Sequence, residues 1–164
     1  MDRAESPGDE PSPVEPPRLW TVVEANARLR DLEELLPRLS GWVGRLREVQ
    51  EQRDRLAVFW GPEADASDQP DHELKNRLDA EWKHLSRRLE EAVGSLRAEG
   101  IEVKDLGSGL VDFYGVQDGE VVFLCWQRGE PAVAFFHTLT GGYRSRRPIA
   151  EPRRAPPPRS QGSL

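Results

Sequence analysis

The 164-residue sequence predicts an α+β fold, in which a long antiparallel helical hairpin packs on a small antiparallel meander of three or four strands. Two observations predict it. Between residues 22 and 96, apolar side chains recur at alternating intervals of three and four, which is the spacing of a buried helix face. After residue 100 the pattern changes to short β-branched and aromatic runs separated by turn residues, which is typical of antiparallel strands.

The first helix is predicted to begin at Thr21. Thr21 and Glu24 have the spacing of a capping box, in which each side chain bonds the free backbone N–H of the other residue. The apolar stripe that follows is close to a heptad seam, so it indicates a coiled-coil-like pairing face. Because proline lacks a backbone N–H and its ring clashes with the preceding turn, we expect this helix to kink or split near Pro37.

A second helix is predicted to begin near Pro70 or Asp71 and to stop at Gly100, because glycine readily adopts the left-handed conformation that follows a last helical turn. Seven apolar residues mark its buried face: Leu74, Leu78, Trp82, Leu85, Leu89, Val93 and Leu96. The loop between the two helices is polar and about ten residues long, which favours an antiparallel hairpin.

After residue 100, four runs predict the strands: IEVKDL, LVDFYGV, EVVFLCWQ and AVAFFH. The dipeptide Asp118-Gly119 is a strong signal for a two-residue hairpin turn, because aspartate and glycine tolerate the positive φ that this turn requires. Pairing outward from the turn places Asp112 opposite Cys125. Since side chains alternate between the two faces along a strand, these two side chains share one face of the predicted sheet.

The next turn decides where His137 points. The dipeptide Gly129-Glu130 predicts a second two-residue turn, with glycine at its first central position. Such a turn pairs Val122 with His137 and directs His137 to the face opposite Asp112 and Cys125. On this register the three side chains do not converge, so we predict no metal site.

Composition separates two tails from a single domain. Residues 1–18 are rich in proline and acidic residues, and residues 150–164 are rich in proline, arginine and serine. Neither segment can bury enough apolar surface to offset the entropy of ordering, so both are predicted to be disordered around one α+β domain at residues 19–149. The net charge of −6 argues against nucleic acid as the main partner.

Several site types have no signal in the sequence. Cys125 is the single cysteine, so an internal disulfide and a cysteine-rich zinc cluster are both excluded. There is no glycine-rich phosphate loop, nucleophile elbow or His-Glu-x-x-His motif, and the sequence therefore identifies no cofactor. No apolar run reaches membrane-spanning length and no secretory signal pattern is present, so we expect a cytoplasmic protein without a membrane partner.

Asp112 is the polar residue of greatest interest. A carboxylate between Val111 and Phe113 in mid-strand is unfavourable to bury without a partner. Two interpretations are open: Asp112 bonds backbone N–H groups or an arginine and so locks the sheet, or it lies in a pocket as an acid, base or ligand group. Arg146 is a candidate partner for either Asp112 or Glu130, as a bidentate clamp.

Cys125 and Trp126 are the candidate walls of such a pocket. An acid opposite Cys125 raises the pKa of its thiol, which favours a buried, space-filling side chain over a nucleophile. Trp126 is most simply a core residue. Glu130 also fits a solvated turn acid, and His137 also fits a structural histidine whose ring nitrogens are both hydrogen-bonded.

The strings VVEANARL, GIEVKDLGSGLVDFYG, VFLCWQRGEP, AFFH and GGYRSRRPI resemble, in order and spacing, an uncharacterised bacterial family called domain-of-unknown-function family 2203. The resemblance covers residues 19–149. Two positions depart from the family pattern: Tyr114 stands where proline is usual, and Thr138 where an acid usually follows the histidine. The resemblance implies no known activity. It implies one polar cluster formed by Asp112, Glu130, His137 and Arg146.

Three functions follow from these observations. The favoured one is a non-catalytic interaction module, in which the helical hairpin pairs with a second copy or another partner through its near-heptad stripe and the aromatic residues expected to be exposed, Trp42, Phe59 and Trp60. The alternative is a small-molecule-binding protein or hydrolase-like enzyme, with Asp112 and His137 as its acid–base pair. The third is contact with nucleic acid through the arginine-rich C-terminal tail.

Overall fold

The computed structural model describes residues 18–62, 68 and 70–149. Apart from Arg18, the two predicted tails lie outside the described residues, as does most of the loop between the helices. Two helices are followed by five strands and a short 3-10 helix: α1 (Val22–Trp60), α2 (His72–Ala98), β1 (Ile101–Asp105), β2 (Leu110–Gln117), β3 (Glu120–Gln127), β4 (Phe135–Thr138), the 3-10 helix (Tyr143–Ser145) and β5 (Arg147–Pro148).

The predicted α+β class is confirmed, and the sheet is an antiparallel meander. Its strands lie in the order β1-β2-β3-β4-β5, so each strand pairs with its neighbour in sequence. The sheet has five strands where the sequence predicts three or four. The additional strand, β5, has only two residues and includes Pro148, so it carries neither an alternating pattern nor a second backbone donor that would reveal it.

The start of α1 is tied to the sheet as well as capped. The capping box is confirmed: Glu24 N donates to Thr21 Oγ1 at 3.2 Å, and Thr21 N donates to Glu24 Oε2 at 2.9 Å. Immediately before the cap, the backbone N–H of Trp20 donates to the carbonyl of Tyr114 at 2.7 Å. The buried indole of Trp20 packs edge-on against Phe113. The helix therefore enters the fold anchored on β2.

Of the predicted kink or split of α1 near Pro37, the split does not occur, because the helix is continuous through Pro37. Pro37 and Glu33 both lie on the exposed side, so the Glu33 carbonyl that loses its helical N–H partner is not enclosed in the core. On the opposite side Leu32, Leu36 and Leu39 are fully buried. Packing of this face outweighs the local preference of proline.

The second helix has the predicted limits. It begins at His72, directly after Asp71, and the chain then reverses at Gly100 with a φ of +77°. A Cβ atom at Gly100 would lie 2.3 Å from the carbonyl oxygen of Arg18. Gly100 is thus required both for the left-handed conformation and for the close approach of the N-terminal segment.

The core lies between the base of the hairpin and one face of the sheet. Its buried members are Trp20, Ala25, Leu29, Leu32, Leu36, Leu39, Leu96, Ile101, Val111, Phe113, Val122, Leu124, Trp126 and Val133. Farther from the sheet, the two helices bury Val49, Leu78 and Leu85 against each other. Ion pairs between the helices, such as Arg45 with Glu81 at 2.6 Å, flank this seam.

The aromatic residues predicted to be exposed on the hairpin differ in their surroundings. Phe59 is 75% exposed, as expected for a contact residue. Trp42 is half-buried beneath the guanidinium of Arg88, and Trp60 is half-buried with its indole N–H donating to Asp71. The prediction of three exposed aromatics is therefore wrong for the two tryptophans.

We expect Gly100→Ala to lower the free energy of unfolding by about 2 kcal/mol or more, because alanine is strained at positive φ and its Cβ meets the Arg18 carbonyl. The matched control is Gly94→Ala, in the exposed part of α2, where an added Cβ has no neighbour within 4 Å among the described residues. The control is expected to stabilise by about 0.5–1 kcal/mol. Urea denaturation measures both, and equal effects at the two positions would contradict the prediction.

Candidate functional site

The two faces of the sheet have different cover. Phe113 and Trp126 point towards the helices and join the core. Because side chains alternate along a strand, Asp112 and Cys125 point to the other face, which no described helix covers. Asp112 is nevertheless only 1% exposed and Cys125 is 0% exposed. A carboxyl group and a thiol are thus buried outside the main core.

The register of β2 and β3 is the predicted one, with Asp112 opposite Cys125. The predicted register of β3 and β4 is wrong. Residues 128–134 connect these strands in place of a two-residue turn, and Phe123 lies opposite His137. Since Phe123 and Cys125 share a face, the difference of one residue brings His137 to the same face as Asp112. The argument that the three side chains do not converge therefore fails.

Hydrogen bonds from side chains hold this longer connection in place. Glu130 Oε2 accepts from the backbone N–H of Gln127 at 2.9 Å, and the indole N–H of Trp126 donates to the Glu130 carbonyl at 3.0 Å. Asn26 Oδ1, on α1, accepts from the backbone N–H of Val133 at 2.8 Å. Trp126 lies on the core side of the sheet, so of the two candidate wall residues only Cys125 joins the cluster.

Asp112, Cys125 and His137 form a compact set, here called the buried triad. One potential ligand atom from each residue can be chosen so that all three lie within 4.8 Å of one another. Asp112 Oδ2 is 3.0 Å from His137 Nε2. On the far side of the ring, Nδ1 is 2.9 Å from the Thr138 carbonyl; a carbonyl only accepts, so Nδ1 carries a hydrogen and donates. Asp112 Oδ1 has no hydrogen-bond donor of good geometry among the described residues, although the Cys125 thiol lies close enough to interact with this carboxylate.

Burial dominates the electrostatics of the triad. It raises the pKa of Asp112 above that of an ordinary aspartate, and the neighbouring His137 opposes this change only in part. Burial also raises the pKa of Cys125 to about 12, and the adjacent Asp112 acts in the same direction. With nothing else bound, Cys125 is therefore a neutral thiol near neutral pH.

A second polar pair lies over the triad, and we call it the rim pair. Arg146 Nη1 is 2.7 Å from Glu130 Oε1, and the guanidinium lies over the rings of Phe135 and Tyr143 at 4.2 and 4.1 Å. The same guanidinium interacts with Cys125. Of the two partners considered for Arg146 from the sequence, the structure places it on Glu130.

Two parts of the site have no signal in the sequence. The Thr138 contact uses a backbone carbonyl, which every residue type provides. Lys104 reaches the site from the edge strand β1, where its Nζ lies 4.4 Å over the ring of Phe123. Its charge also acts on Asp112. Only the pairing of β1 with β2, in which Glu102 lies opposite Asp112, would have indicated that Lys104 shares this face.

A family model described as "Uncharacterized conserved protein (DUF2203)" matches residues 18–149. The chain belongs to this family. The match spans both helices, all five strands, the buried triad and the rim pair, so the predicted family resemblance is confirmed across the domain. Comparisons with curated proteins and with solved structures gave no match for this DUF2203 chain. Within the described residues, neither helix is both long and apolar enough to cross a membrane.

Cys125 is expected to react slowly with iodoacetamide in the folded protein and rapidly after unfolding in guanidinium. The folded thiol is 0% exposed and its pKa is raised to about 12, so very little thiolate is available to a reagent. Because the chain has one cysteine, mass spectrometry follows a single adduct over time. Folded and unfolded rates that agree within about tenfold would contradict the burial of this thiol.

Proposed function

We propose that this protein is a non-catalytic binding protein that encloses a small ligand at the buried triad. The observation that supports this most directly is Asp112, a buried carboxyl group with one oxygen beside His137 and the other without a donor in the described part of the chain. Leaving such an oxygen unsatisfied costs about 1–3 kcal/mol. Apolar residues at this point would cover the sheet face without that cost.

The burial of the triad favours a very small ligand over an organic substrate. An acid–base pair must reach the proton that it transfers, directly or through one water. Asp112 and His137 are 1% and 2% exposed, so a substrate of ordinary size does not reach them in this conformation. This supports binding over the hydrolase-like alternative. We also propose a cytoplasmic location, which is supported by a free thiol that a reducing compartment preserves.

A thermal-shift screen with divalent metal ions, nucleotides and anionic metabolites tests the binding function. We expect at least one component to raise the melting midpoint of the wild-type protein and to have no effect on Asp112→Asn, because ligand binding to the folded state stabilises it by linkage. Asp118→Asn is the matched control: it makes the same change in an exposed turn and should keep the response. If no component raises the midpoint while Asp112→Asn strongly destabilises the protein, Asp112 is a structural lock and the proposal is wrong.

Self-association through the end of the hairpin is a second candidate function. Val58 and Phe59 are adjacent on α1 and are 86% and 75% exposed. With Asp54 and Arg55 they line one shallow apolar cleft. An acid and a base on the same apolar patch are self-complementary across a twofold axis, because each copy offers the partner of the other's charge. The occupant that this supports is a second copy of the chain.

We expect the wild-type mass to rise with concentration towards that of a dimer in sedimentation velocity, and Val58→Asp to remain monomeric. An aspartate at this position removes apolar contact area and adds a second acid to a patch that has one acid and one base, so its desolvation opposes the pairing. Val23→Asp is the matched control, since Val23 is also an exposed valine on α1, at 78%, but near the opposite end of the helix. A wild-type protein that stays monomeric at every concentration would rule out this candidate.

A further inference from the structure

We propose that the ligand of the buried triad is a divalent transition-metal ion, with zinc the best match, bound by Asp112, Cys125 and His137. The inference rests on the binding function proposed above and names the class of its ligand. The potential ligand atoms already lie within 4.8 Å of one another. Zinc binds nitrogen and oxygen at about 2.0–2.2 Å and sulfur at about 2.3 Å, so tetrahedral ligands lie about 3.3–3.7 Å apart. The separation of Asp112 Oδ2 from His137 Nε2, 3.0 Å, is already close to this spacing.

The orientation of His137 matches that of a metal ligand. Histidines that bind metals almost always donate the other ring N–H to a carboxylate, a backbone carbonyl or water, which fixes the ring and its tautomer. In His137, Nδ1 donates to the Thr138 carbonyl at 2.9 Å, which leaves Nε2 directed at the triad. In that tautomer Nε2 and Asp112 Oδ2 are two acceptors only 3.0 Å apart. A positive charge must lie between them, as a proton or as a metal ion.

A metal ion satisfies more of the triad than a proton does. A single proton between Asp112 and His137 leaves the second carboxylate oxygen with no donor of good geometry among the described residues, and the Cys125 thiol then interacts with Asp112 only as a weak donor. A divalent ion binds the imidazole, the carboxylate and the sulfur together. The ion displaces the thiol proton, and that proton and the one shared by Asp112 and His137 pass to solvent.

The charges of this arrangement balance inside a buried site. A carboxylate and a thiolate together carry two negative charges, which equal the charge of a divalent ion. The rim pair of Glu130 and Arg146 adds no net charge. A compensated set is far less unfavourable to bury than an isolated charge. Thiolate and imidazole ligands select zinc and similar transition metals over magnesium or calcium, which prefer oxygen.

The three residues stand on a rigid base. Asp112, Cys125 and His137 belong to three adjacent strands, β2, β3 and β4, whose backbone pairing fixes their spacing. Ligands on strands are held more precisely than ligands on loops. Three protein ligands leave one tetrahedral position for another group.

Cobalt substitution of the full-length protein tests the proposal, because Co²⁺ replaces Zn²⁺ and is coloured. Metals are first removed with a chelator, and Zn²⁺ is then added back. We expect one Zn²⁺ per chain to stay bound to the protein through gel filtration. We expect the Co²⁺ form to show intense visible bands and a sulfur-to-cobalt charge-transfer band in the near ultraviolet. Since Cys125 is the single cysteine of the chain, a sulfur band from monomeric protein reports on this residue even if its variants fail to fold.

Variants locate the site. Cys125→Ser should lose the sulfur band, and His137→Gln should lower zinc affinity by at least about tenfold. His84→Gln is the matched control, because His84 is exposed on α2 and the same substitution there should leave both readouts unchanged. An equal loss of zinc affinity in His84→Gln would show that the metal binds to the surface and would overturn the inference.

Two outcomes separate this inference from the function on which it rests. If zinc is not retained, or Co²⁺ binds without a sulfur band, the metal proposal is wrong. If in that case a non-metal component still raises the melting midpoint through Asp112, the binding function stands with a different ligand. If no component does so, both proposals fail together.

Discussion

The pairing of β2 with β3 is the constraint on which the rest of the structure depends. Asp118 and Gly119 adopt φ angles of +53° and +83°, which matches a tight turn with positive φ at both central positions and fixes the register of the two longest strands. A slip of one residue between these strands would turn one of them over relative to the other, so Phe113 and Trp126 could no longer both face the helices. The core and the buried triad therefore both depend on the register of β2 with β3.

The sheet is covered on both sides, but by different means. The helices supply apolar side chains to one face. On the other, long cationic side chains lie across aromatic rings, with Arg146 over Phe135 and Lys104 over Phe123. Such side chains exclude water with their hydrocarbon stems, and the Arg146 guanidinium is itself paired with Glu130. The triad is consequently buried without a second helical layer, and its cover includes groups that form an ion pair.

Local signals predicted the local structure well, and the errors arose where distant residues decide. The Thr21 cap, the Gly100 stop and the β2–β3 register each depend on a few neighbouring residues and are confirmed. The connection from β3 to β4 also depends on Asn26, which is 107 positions from Val133, and a short-range turn signal contains no information about such a bond. The convergence of the triad, including His137, could not be predicted for the same reason.

The hydrogen bond from Trp20 to Tyr114 has a consequence for the order of events during synthesis. The N-terminal anchor of α1 binds a strand that the ribosome makes more than ninety residues later. The helical hairpin therefore emerges before the sheet face against which it packs exists, and the part of its apolar stripe that packs on the sheet stays uncovered until β2 and β3 have been made. Apolar surface that is exposed in this way makes a partly synthesised chain prone to aggregation. The time spent in that exposed state depends on how quickly the last third of the chain is translated.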